Sequence, residues 1–328
     1  NKKSITMKNF TKLMNLMLWV AIPLTLLSCS DDDSNSMPEN NSIAGIASRA
    51  PQFTKLVDAL ERADLVTTLN ASGSFTVFAP TNNAFSTFLS ANGFASLDDV
   101  PVATLREILL NHVVDGTNLS TNLTTGYVKT LAKGSASNTN TLSMYINTSS
   151  GVVLNGVSTV TNADIVASNG VIHEVNAVIG LPTVVTHATA NSNFTTLVAA
   201  LTRNDQPDFV GILSGTTNSP FTVFAPTNLA FGDLLTELSA NSLNDIPQAT
   251  LENTLKYHVV AGANVISTSL TNNMMVTTFQ GQDFTVTTTG GAKITDANGR
   301  ESNIIATDVQ CTNGIIHVID KVILPNLN

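Results

Sequence analysis

One segment of eleven residues occurs twice in this chain. It reads "FTVFAPTNNAF" at Phe75–Phe85 and "FTVFAPTNLAF" at Phe221–Phe231, so that only Asn83 and Leu229 differ. Three further segments recur in the same order and at nearly the same spacing: "FTKLVDAL" as "FTTLVAAL", "NHVVDG" as "YHVVAG", and "NGVIHEVNAVIGLP" as "NGIIHVIDKVILP". A period this long is typical of duplicated whole domains and excludes a solenoid of short repeats.

The repeats divide the chain into two domains. A length of 328 residues is sufficient for two domains of ordinary size. We place domain 1 at 42–182 and domain 2 at 183–328, because the last repeated segment of the first copy ends at Pro182. The joint between the copies is short, which predicts a stiff pair.

The repeated segments predict particular helices and strands. The apolar residues of Phe53–Leu60 fall at positions i, i+3, i+4 and i+7, which is one face of a helix. The "FTVFA" run favours a strand that ends at the following proline. The Thr-Asn pair after that proline supplies side-chain oxygens that cap a helix. The eleven-residue motif is therefore mainly a folding device.

The last repeated segment predicts a hairpin in each copy. Strand-forming runs flank Asn169-Gly170 and Asn313-Gly314, and an Asn-Gly dipeptide suits the positive φ angles of a tight turn. Helices are interleaved with hairpin-linked strands, without regular βαβ alternation or a Gly-rich phosphate loop. The predicted fold class is therefore α+β.

Residues 1–28 are predicted to be a secretory signal of the lipoprotein type. Lys8 and Lys12 follow Met7 and precede an apolar run at 13–27, which is shorter than the roughly 20 residues of a membrane-spanning helix. The "LLSC" that ends at Cys29 resembles the lipobox of bacterial lipoproteins, in which the cysteine carries the lipid. The alternative is a cleaved signal followed by a cysteine without a role.

Residues 29–41 are expected to form a flexible acidic tether. They lack apolar periodicity and include "SDDDS" at Ser30–Ser34, which resembles the surface-export signals of some Gram-negative lipoproteins. Lipoproteins of this type carry two or more acyl chains, which suffice for stable anchoring. We therefore expect a protein of the cell envelope, anchored by lipid in the outer membrane and exposed at the surface.

The composition excludes several classes of function. Lys plus Arg total 15 against 24 for Asp plus Glu, so the basic patch that nucleic acid requires is not expected. No Walker A, G-x-S-x-G or H-E-x-x-H motif occurs, and we expect neither an enzyme nor a cofactor. Lipidation of Cys29 would leave Cys311 unpaired, so we expect Cys311 to be a buried apolar side chain.

With these segments in view, the chain resembles a tandem pair of fasciclin-like domains. That family carries a "TVFAPTNxAF" block, a central Tyr-His pair and a "NGVIHxIDxVLxP" block, and both copies show them in order. Copy one departs at Asn111, Glu174, Asn176 and Gly180. The resemblance implies a β-wedge of about seven strands with packed helices. It also implies a role in adhesion or extracellular ligand binding without catalysis.

The resemblance also implies candidate ligand-binding residues. In animal members of the family, an Asp-Ile pair before the "NG" turn is proposed to recognise a receptor. Asp164-Ile165 occupies that position in copy one and Asp308-Val309 in copy two. The alternative is that each aspartate accepts backbone hydrogen bonds and shapes the hairpin, which its presence in both copies favours.

Tyr257 and His258 match the family's central Tyr-His pair and are further candidate ligand contacts. Four histidines recur in the two copies and could indicate metal or acid–base sites: His112, His173, His258 and His317. Each lies among apolar positions of its helix or strand, so a buried ring bonded to a backbone carbonyl is the favoured interpretation. No cysteine or carboxylate lies near them at zinc-like spacing, so no metal is expected.

Adhesion to an extracellular protein or polysaccharide is the leading functional hypothesis. The alternative is a carrier of a small apolar molecule, since some relatives hold pigments, and it requires a large apolar cavity. A hydrolase would require a pocket that combines a nucleophile with His112 or His258.

Overall fold

The structure, a computed structural model, describes residues 40–326. The predicted signal at 1–28, Cys29 and the tether up to residue 39 lie outside the described residues. Asn40 and Asn41 are held against domain 1. The Arg49 guanidinium donates to Asn40 O at 2.7 Å, and Ser168 N–H donates to Asn41 O at 2.8 Å. Within 40–326 no helix combines the length and apolar character needed to cross a membrane.

Domain 1 is a closed barrel of seven strands with five α-helices. The first and last strands pair in parallel, and the other neighbours pair antiparallel. The helices are α1 Ile43–Arg49, α2 Thr54–Arg62, α3 Val66–Asn70, α4 Asn82–Ala91 and α5 Val102–Leu110. The strands are β1 Phe75–Pro80, β2 Val113–Asp115, β3 Gly126–Gly134, β4 Ser137–Asn147, β5 Val153–Leu154, β6 Ser158–Ala167 and β7 Gly170–Val175.

Domain 2 repeats these elements in a sheet that is open between β9 and β10. The helices are α6 Val184–Ala190, α7 Thr195–Leu201, α8 Phe209–Ser214, α9 Asn228–Glu237 and α10 Gln248–Tyr257. The strands are β8 Phe221–Pro226, β9 Val259–Ala261, β10 Met274–Thr277, β11 Asp283–Thr287, β12 Lys293–Thr295, β13 Glu301–Cys311 and β14 Gly314–Ile319. The predicted α+β class and the seven strands of each domain are confirmed.

The eleven-residue motif folds as its sequence predicts. β1 is buried along most of its length and ends at Pro80, and the Thr81 hydroxyl then accepts from Ala84 N–H at 3.3 Å to cap α4. Phe85 is fully buried one turn later, and burial of a side chain of this size contributes about 2 kcal/mol. The residue that differs between the two copies points outward, since Leu229 is 81% exposed, and so the exchange costs no packing.

Each domain has one apolar cluster beneath its helices and a second inside its sheet. The predicted helical face of Phe53–Leu60 is confirmed, because Phe53, Leu56 and Leu60 all belong to the first cluster of domain 1. The second cluster of domain 2 contains the rings of Phe224, Tyr257 and Phe284. These clusters fix the sheet from which the hairpins project.

The predicted hairpin is present, and Gly170 has the expected positive φ, of 149°, but the expected role of the asparagine is wrong. Ala167 pairs with Gly170, so the turn residues are Ser168 and Asn169. Neither Asn169 nor its counterpart in domain 2 has a positive φ. Gly170 begins β7, and a Cβ there would lie 2.0 Å from Phe75 O. Glycine is therefore required because two strands approach closely, and asparagine serves another purpose.

Asn169 joins the hairpin to two helices. Its Oδ1 accepts from Ile43 N–H at 2.8 Å, at the start of α1. Its Nδ2 donates to Leu69 O at 2.8 Å and to Ala71 O at 2.9 Å, at the end of α3. Helix ends leave such backbone groups without intrahelical partners. Domain 2 repeats the arrangement through Asn313, with Val184 N–H, Leu213 O and Gly215 O.

The long β3–β4 hairpin of domain 1 lies against β13 of domain 2. Lys129 Nζ donates to Asp308 O at 2.6 Å, and Gln310 N–H donates to Ser143 Oγ at 3.0 Å. At the tip of the hairpin, the Ser135 hydroxyl and Ala136 N–H each donate to Thr312 O at 2.8 Å. These contacts join the two domains to one another, and the stiffness expected from the short joint stays a prediction.

The joint itself buries a histidine. His187 lies in α6 with no exposed surface, and the edge of the Tyr127 ring faces it at a centroid distance of 5.3 Å. Burial, with a smaller contribution from the nearby Lys129 ammonium, lowers the pKa of His187 to about 3. The ring is therefore neutral at physiological pH and acts as part of the apolar packing.

Candidate functional site

Asp164 lies at a bulge in β6. The pairing of β6 with β7 shifts between Asn162 and Ile165, and Asp164 has the left-handed φ of 64° that aspartate tolerates better than most residues. Its Oδ1 accepts from Ser120 N–H at 2.7 Å and its Oδ2 from Ser120 Oγ at 2.6 Å. These hydrogen bonds lower the pKa of the Asp164 carboxyl, which is therefore ionised at neutral pH.

The bulge is anchored to the barrel by a histidine. Asp164 N–H donates to His173 Nδ1 at 3.2 Å, and His173 Nε2–H donates to Asn118 O at 2.9 Å. The His173 ring is buried and stacks on Phe78 at a centroid distance of 5.5 Å. The bulge therefore has a fixed position relative to the core of domain 1.

Domain 2 contains the same bulge. Asp308 has a φ of 60°, and its carboxylate accepts from Ser267 N–H at 2.8 Å and from the Ser267 hydroxyl. His317 Nε2–H donates to Val265 O at 2.8 Å. The structural interpretation of both aspartates as acceptors of backbone hydrogen bonds is thus confirmed. These internal hydrogen bonds do not prevent the exposed part of either aspartate from also contacting a partner.

The residues that follow the two bulges differ in their exposure to solvent. In domain 1, Ile165 is half-buried and Val166 is 71% exposed. At the matching positions of domain 2, Val309 is 3% exposed because it belongs to the apolar cluster beneath the helices, and Gln310 is 1% exposed where its N–H donates to Ser143 of the β3–β4 hairpin. Of the residues that follow the two aspartates, Val166 alone has a largely exposed side chain. Val166 is not among the residues predicted from the sequence, although the aligned positions place this valine opposite a glutamine.

Tyr257 and His258 lie inside domain 2. The Tyr257 hydroxyl donates to Asp283 O at 2.7 Å and accepts from Ala297 N–H at 3.1 Å. His258 Nδ1–H donates to Thr254 O at 2.7 Å. Burial raises the pKa of Tyr257 to about 12 and lowers the pKa of His258 to about 4. Both side chains have internal partners and almost no exposed surface, so we do not retain them as ligand contacts.

Copy one replaces the tyrosine without losing the local structure. Asn111 Nδ2 donates to Gly180 O at 3.0 Å, and Asn111 Oδ1 accepts from Thr130 Oγ1 at 3.2 Å. His112 Nδ1–H donates to Ile108 O at 2.7 Å, and burial lowers the pKa of His112 to about 4. The departure of Asn111 from the family pattern is therefore a structural adaptation.

The histidines are poorly placed for catalysis. Both ring nitrogens of His112 and of His258 are engaged, since Nε2 accepts from Ile179 N–H at 2.9 Å and from Ile323 N–H at 3.2 Å respectively. Within the described part of the chain, no cluster of three or more His, Cys, Asp or Glu side chains could hold a metal ion. A hydrolase based on either histidine would need these backbone bonds to break.

Domain 2 contains an apolar cavity of about 40 Å³ between helices α6–α8 and the sheet. Phe194, Leu197, Leu213 and Val259 are among the residues that line it. Pockets for drug-sized ligands are roughly 300–1,000 Å³. This cavity is therefore far too small for a pigment or a lipid.

Comparisons with known proteins identify the family. The family profile for the fasciclin domain matches residues 51–182 and 192–325. An uncharacterised protein of Synechocystis is 36% identical over 144 residues, which cover 44% of this chain and 98% of the relative. A fasciclin-like arabinogalactan protein of Arthroderma benhamiae is 25% identical over 325 residues, which cover 94% of this chain and 69% of the relative.

A solved structure shares the fold. The FAS1 domain pair of the insect cell adhesion molecule fasciclin I matches with a TM-score of 0.52 and 21% identity, over 82% of this chain and 96% of that chain. The chain belongs to the fasciclin family and carries two tandem fasciclin domains. Fasciclin domains are extracellular, are associated with cell adhesion and are generally without enzymatic activity.

Proposed function

We propose that this protein is displayed at the cell surface and binds an extracellular protein or polysaccharide through the β6 surface of domain 1. The β6 surface comprises the side chains of Asp164, Ile165 and Val166. One observation carries the proposal: Val166 is 71% exposed, whereas Gln310 at the matching position of domain 2 is covered by domain 1. The fold therefore presents this surface once, on domain 1.

The matching surface of domain 2, on β13, supports the proposal because the β3–β4 hairpin of domain 1 already binds it. There, Lys129 donates to the backbone oxygen of Asp308, and Ser143 accepts from Gln310 N–H. The same positions of domain 1 meet no second domain within residues 40–326. A partner that presents a cation and a hydroxyl at a similar spacing would bind domain 1 in the same manner.

The side chains of the β6 surface suit a protein or polysaccharide contact. Ser120 already fixes the Asp164 carboxylate, so little rotamer freedom is lost when a partner binds. Charges of this kind select the partner and speed its approach. The neighbouring Val166 adds apolar area, which contributes about 25 cal/mol for each Å² that the partner covers.

We propose in addition that lipid on Cys29 anchors the protein in the outer membrane and that the acidic residues after it favour surface exposure. The "LLSC" sequence supports this proposal. A Cys29→Ser variant should leave the membrane fraction and the detergent phase. Retention of that variant in the detergent phase would contradict lipid anchoring without affecting the binding proposal.

The binding proposal is tested by adhesion of the purified chain to immobilised matrix proteins and polysaccharides. Asp164→Asn removes the charge but keeps a residue that accepts hydrogen bonds and tolerates a left-handed φ. It should weaken binding about tenfold, which corresponds to about 1.4 kcal/mol. Asp308→Asn makes the same change in domain 2 and is the matched control, which should leave binding to the matrix proteins unchanged. An equal loss in both variants, or a loss in neither, would overturn the proposal.

A further inference from the structure

A cleft of about 350 Å³ lies between the two domains and is lined by residues of both. We call it the interdomain cleft. Domain 1 contributes Lys129, Asn140 and Thr141, and domain 2 contributes Ile266, Thr268 and Asp308. Its volume is in the range of small-molecule sites, which occur preferentially at domain interfaces.

The walls of the cleft are held in place by the interface described above. Lys129 Nζ bonds to Asp308 O at 2.6 Å and to Ser143 Oγ at 3.1 Å, and Ser143 Oγ in turn accepts from Gln310 N–H at 3.0 Å. These bonds join β3 and β4 of domain 1 to β13 of domain 2. The cleft is therefore preformed in the pair and does not exist in either domain alone.

Three uncharged polar side chains of the cleft are free. The side chains of Asn140, Thr141 and Thr268 make no hydrogen bond to any residue in the range 40–326 that the structure describes. Each can donate and accept hydrogen bonds at once. This combination matches the hydroxyl groups of a saccharide, which also donate and accept.

The charges of the cleft balance. Lys129 supplies one positive charge and Asp308 one negative charge, and both oxygens of the Asp308 carboxylate already accept hydrogen bonds from Ser267. An ionic ligand of either sign would lie close to a charge of the same sign, so the cleft favours a neutral ligand. Ile266 adds an apolar patch that can meet the carbon face of a sugar ring.

The backbone of the cleft is unsuited to an extended peptide. The N–H groups of Thr139 and Asn140 both donate to Ser137 Oγ, at 3.3 Å and 3.0 Å. Peptides that add to a sheet edge rely on free backbone groups of this kind. The side chains, and not the backbone, are available to a ligand.

We infer that the interdomain cleft binds a short neutral saccharide through Asn140, Thr141 and Thr268. The inference rests on the polysaccharide part of the proposed function, but it uses none of the residues of the β6 surface. The two sites can therefore be tested and can fail separately.

The experiment is a titration of the isotope-labelled full chain, in detergent micelles, with neutral trisaccharides of glucose, mannose, galactose and N-acetylglucosamine. Amide shifts and calorimetry report binding, with an expected dissociation constant on the order of 1 mM. Thr141→Val and Thr268→Val each remove one hydroxyl while keeping the shape of the side chain. Each should weaken binding about fivefold. Thr67→Val makes the same change at an exposed position on α3 and should have no effect.

Saturable shifts at the cleft that both variants weaken, with Asp164→Asn binding the sugar as the wild type does, would support the inference. The absence of saturable shifts with any of the four sugars would overturn it. Binding that neither cleft variant weakens would also overturn it, since the site would lie elsewhere. A trisaccharide of uronic acid or an uncharged peptide that binds more tightly than every neutral sugar would contradict the proposed ligand class. If no sugar binds while adhesion is intact, the inference about the cleft fails and the proposal for the β6 surface stands. If adhesion is absent while the sugar binds at the cleft, the proposal for the β6 surface fails and the inference about the cleft stands.

Discussion

Replacing Asn169 by glycine distinguishes two explanations of the same sequence motif. If the asparagine supplies a turn conformation, glycine should replace it at little or no cost, because glycine adopts positive φ angles freely. If it joins the hairpin to α1 and α3, Asn169→Gly removes hydrogen bonds to Ile43 N–H, Leu69 O and Ala71 O. The structure supports the second explanation.

The magnitude follows from these three bonds. Each is worth about 1 kcal/mol net, and a buried donor or acceptor left without a partner costs about 1–3 kcal/mol. Ile43 N–H is buried, so Asn169→Gly should lower the free energy of unfolding by about 3 kcal/mol or more. That is a large fraction of the roughly 5–15 kcal/mol that holds a typical domain folded.

Urea unfolding at neutral pH, followed by circular dichroism, measures the effect. Asn313→Gly should produce a similar loss in domain 2, because Asn313 makes the same contacts with Val184, Leu213 and Gly215. Ser168→Gly, at the exposed turn position beside Asn169, is the control and should change the free energy of unfolding by less than about 0.5 kcal/mol. If Asn169→Gly is as stable as the control, the joining role is refuted.

Three further predictions concern stability and the domain contact. The pKa of His112 and of His258 is about 4 in the folded chain against 6.5 unfolded, so their contribution is complete above pH 6.5 and declines toward pH 4. The loss should reach about 3 kcal/mol per ring, and a urea midpoint that stays constant between these pH values would contradict it. A Cβ at Gly134 would lie 2.5 Å from Thr312 Cα, so Gly134→Ala should separate the domains. Small-angle scattering should then show a larger radius of gyration, and an unchanged radius would argue against the contact. Tyr257→Phe loses two hydrogen bonds inside domain 2 and should reduce stability by about 1–3 kcal/mol in thermal melts. An unaltered melting temperature would show that these bonds contribute little.

The elements of the fold could be predicted because they depend on short-range patterns. The apolar spacing in Phe53–Leu60, the proline after "FTVFA" and the threonine cap all act within a few residues, and each of them is found in the structure. The duplication strengthened these predictions, since every pattern could be read twice. Asn169 is the exception, because its partners lie 126, 100 and 98 residues away in the sequence.

The candidate site depended on contacts that no local pattern reveals. The pairs Asp164-Ile165 and Asp308-Val309 look alike in sequence, but Val309 belongs to the apolar cluster of domain 2, and the next residue, Gln310, contacts the β3–β4 hairpin of domain 1. The bond from Lys129 to Asp308 spans 179 residues and leaves no periodic signal. Tyr257 and His258 were candidates by resemblance, whereas their burial follows from the packing of α10 against the sheet.

The most direct test of the central claim is a comparison of two apolar surface substitutions in a binding assay. Val166→Ser changes the β6 surface of domain 1, and Ile305→Ser changes an exposed apolar residue of β13, which is 56% exposed, in domain 2. With surface plasmon resonance against the partner found in the adhesion assay, Val166→Ser should raise the dissociation constant about tenfold or more. Ile305→Ser should leave the dissociation constant unchanged. If Ile305→Ser weakens binding and Val166→Ser does not, the partner binds domain 2 and the β6 surface of domain 1 is not the adhesive site.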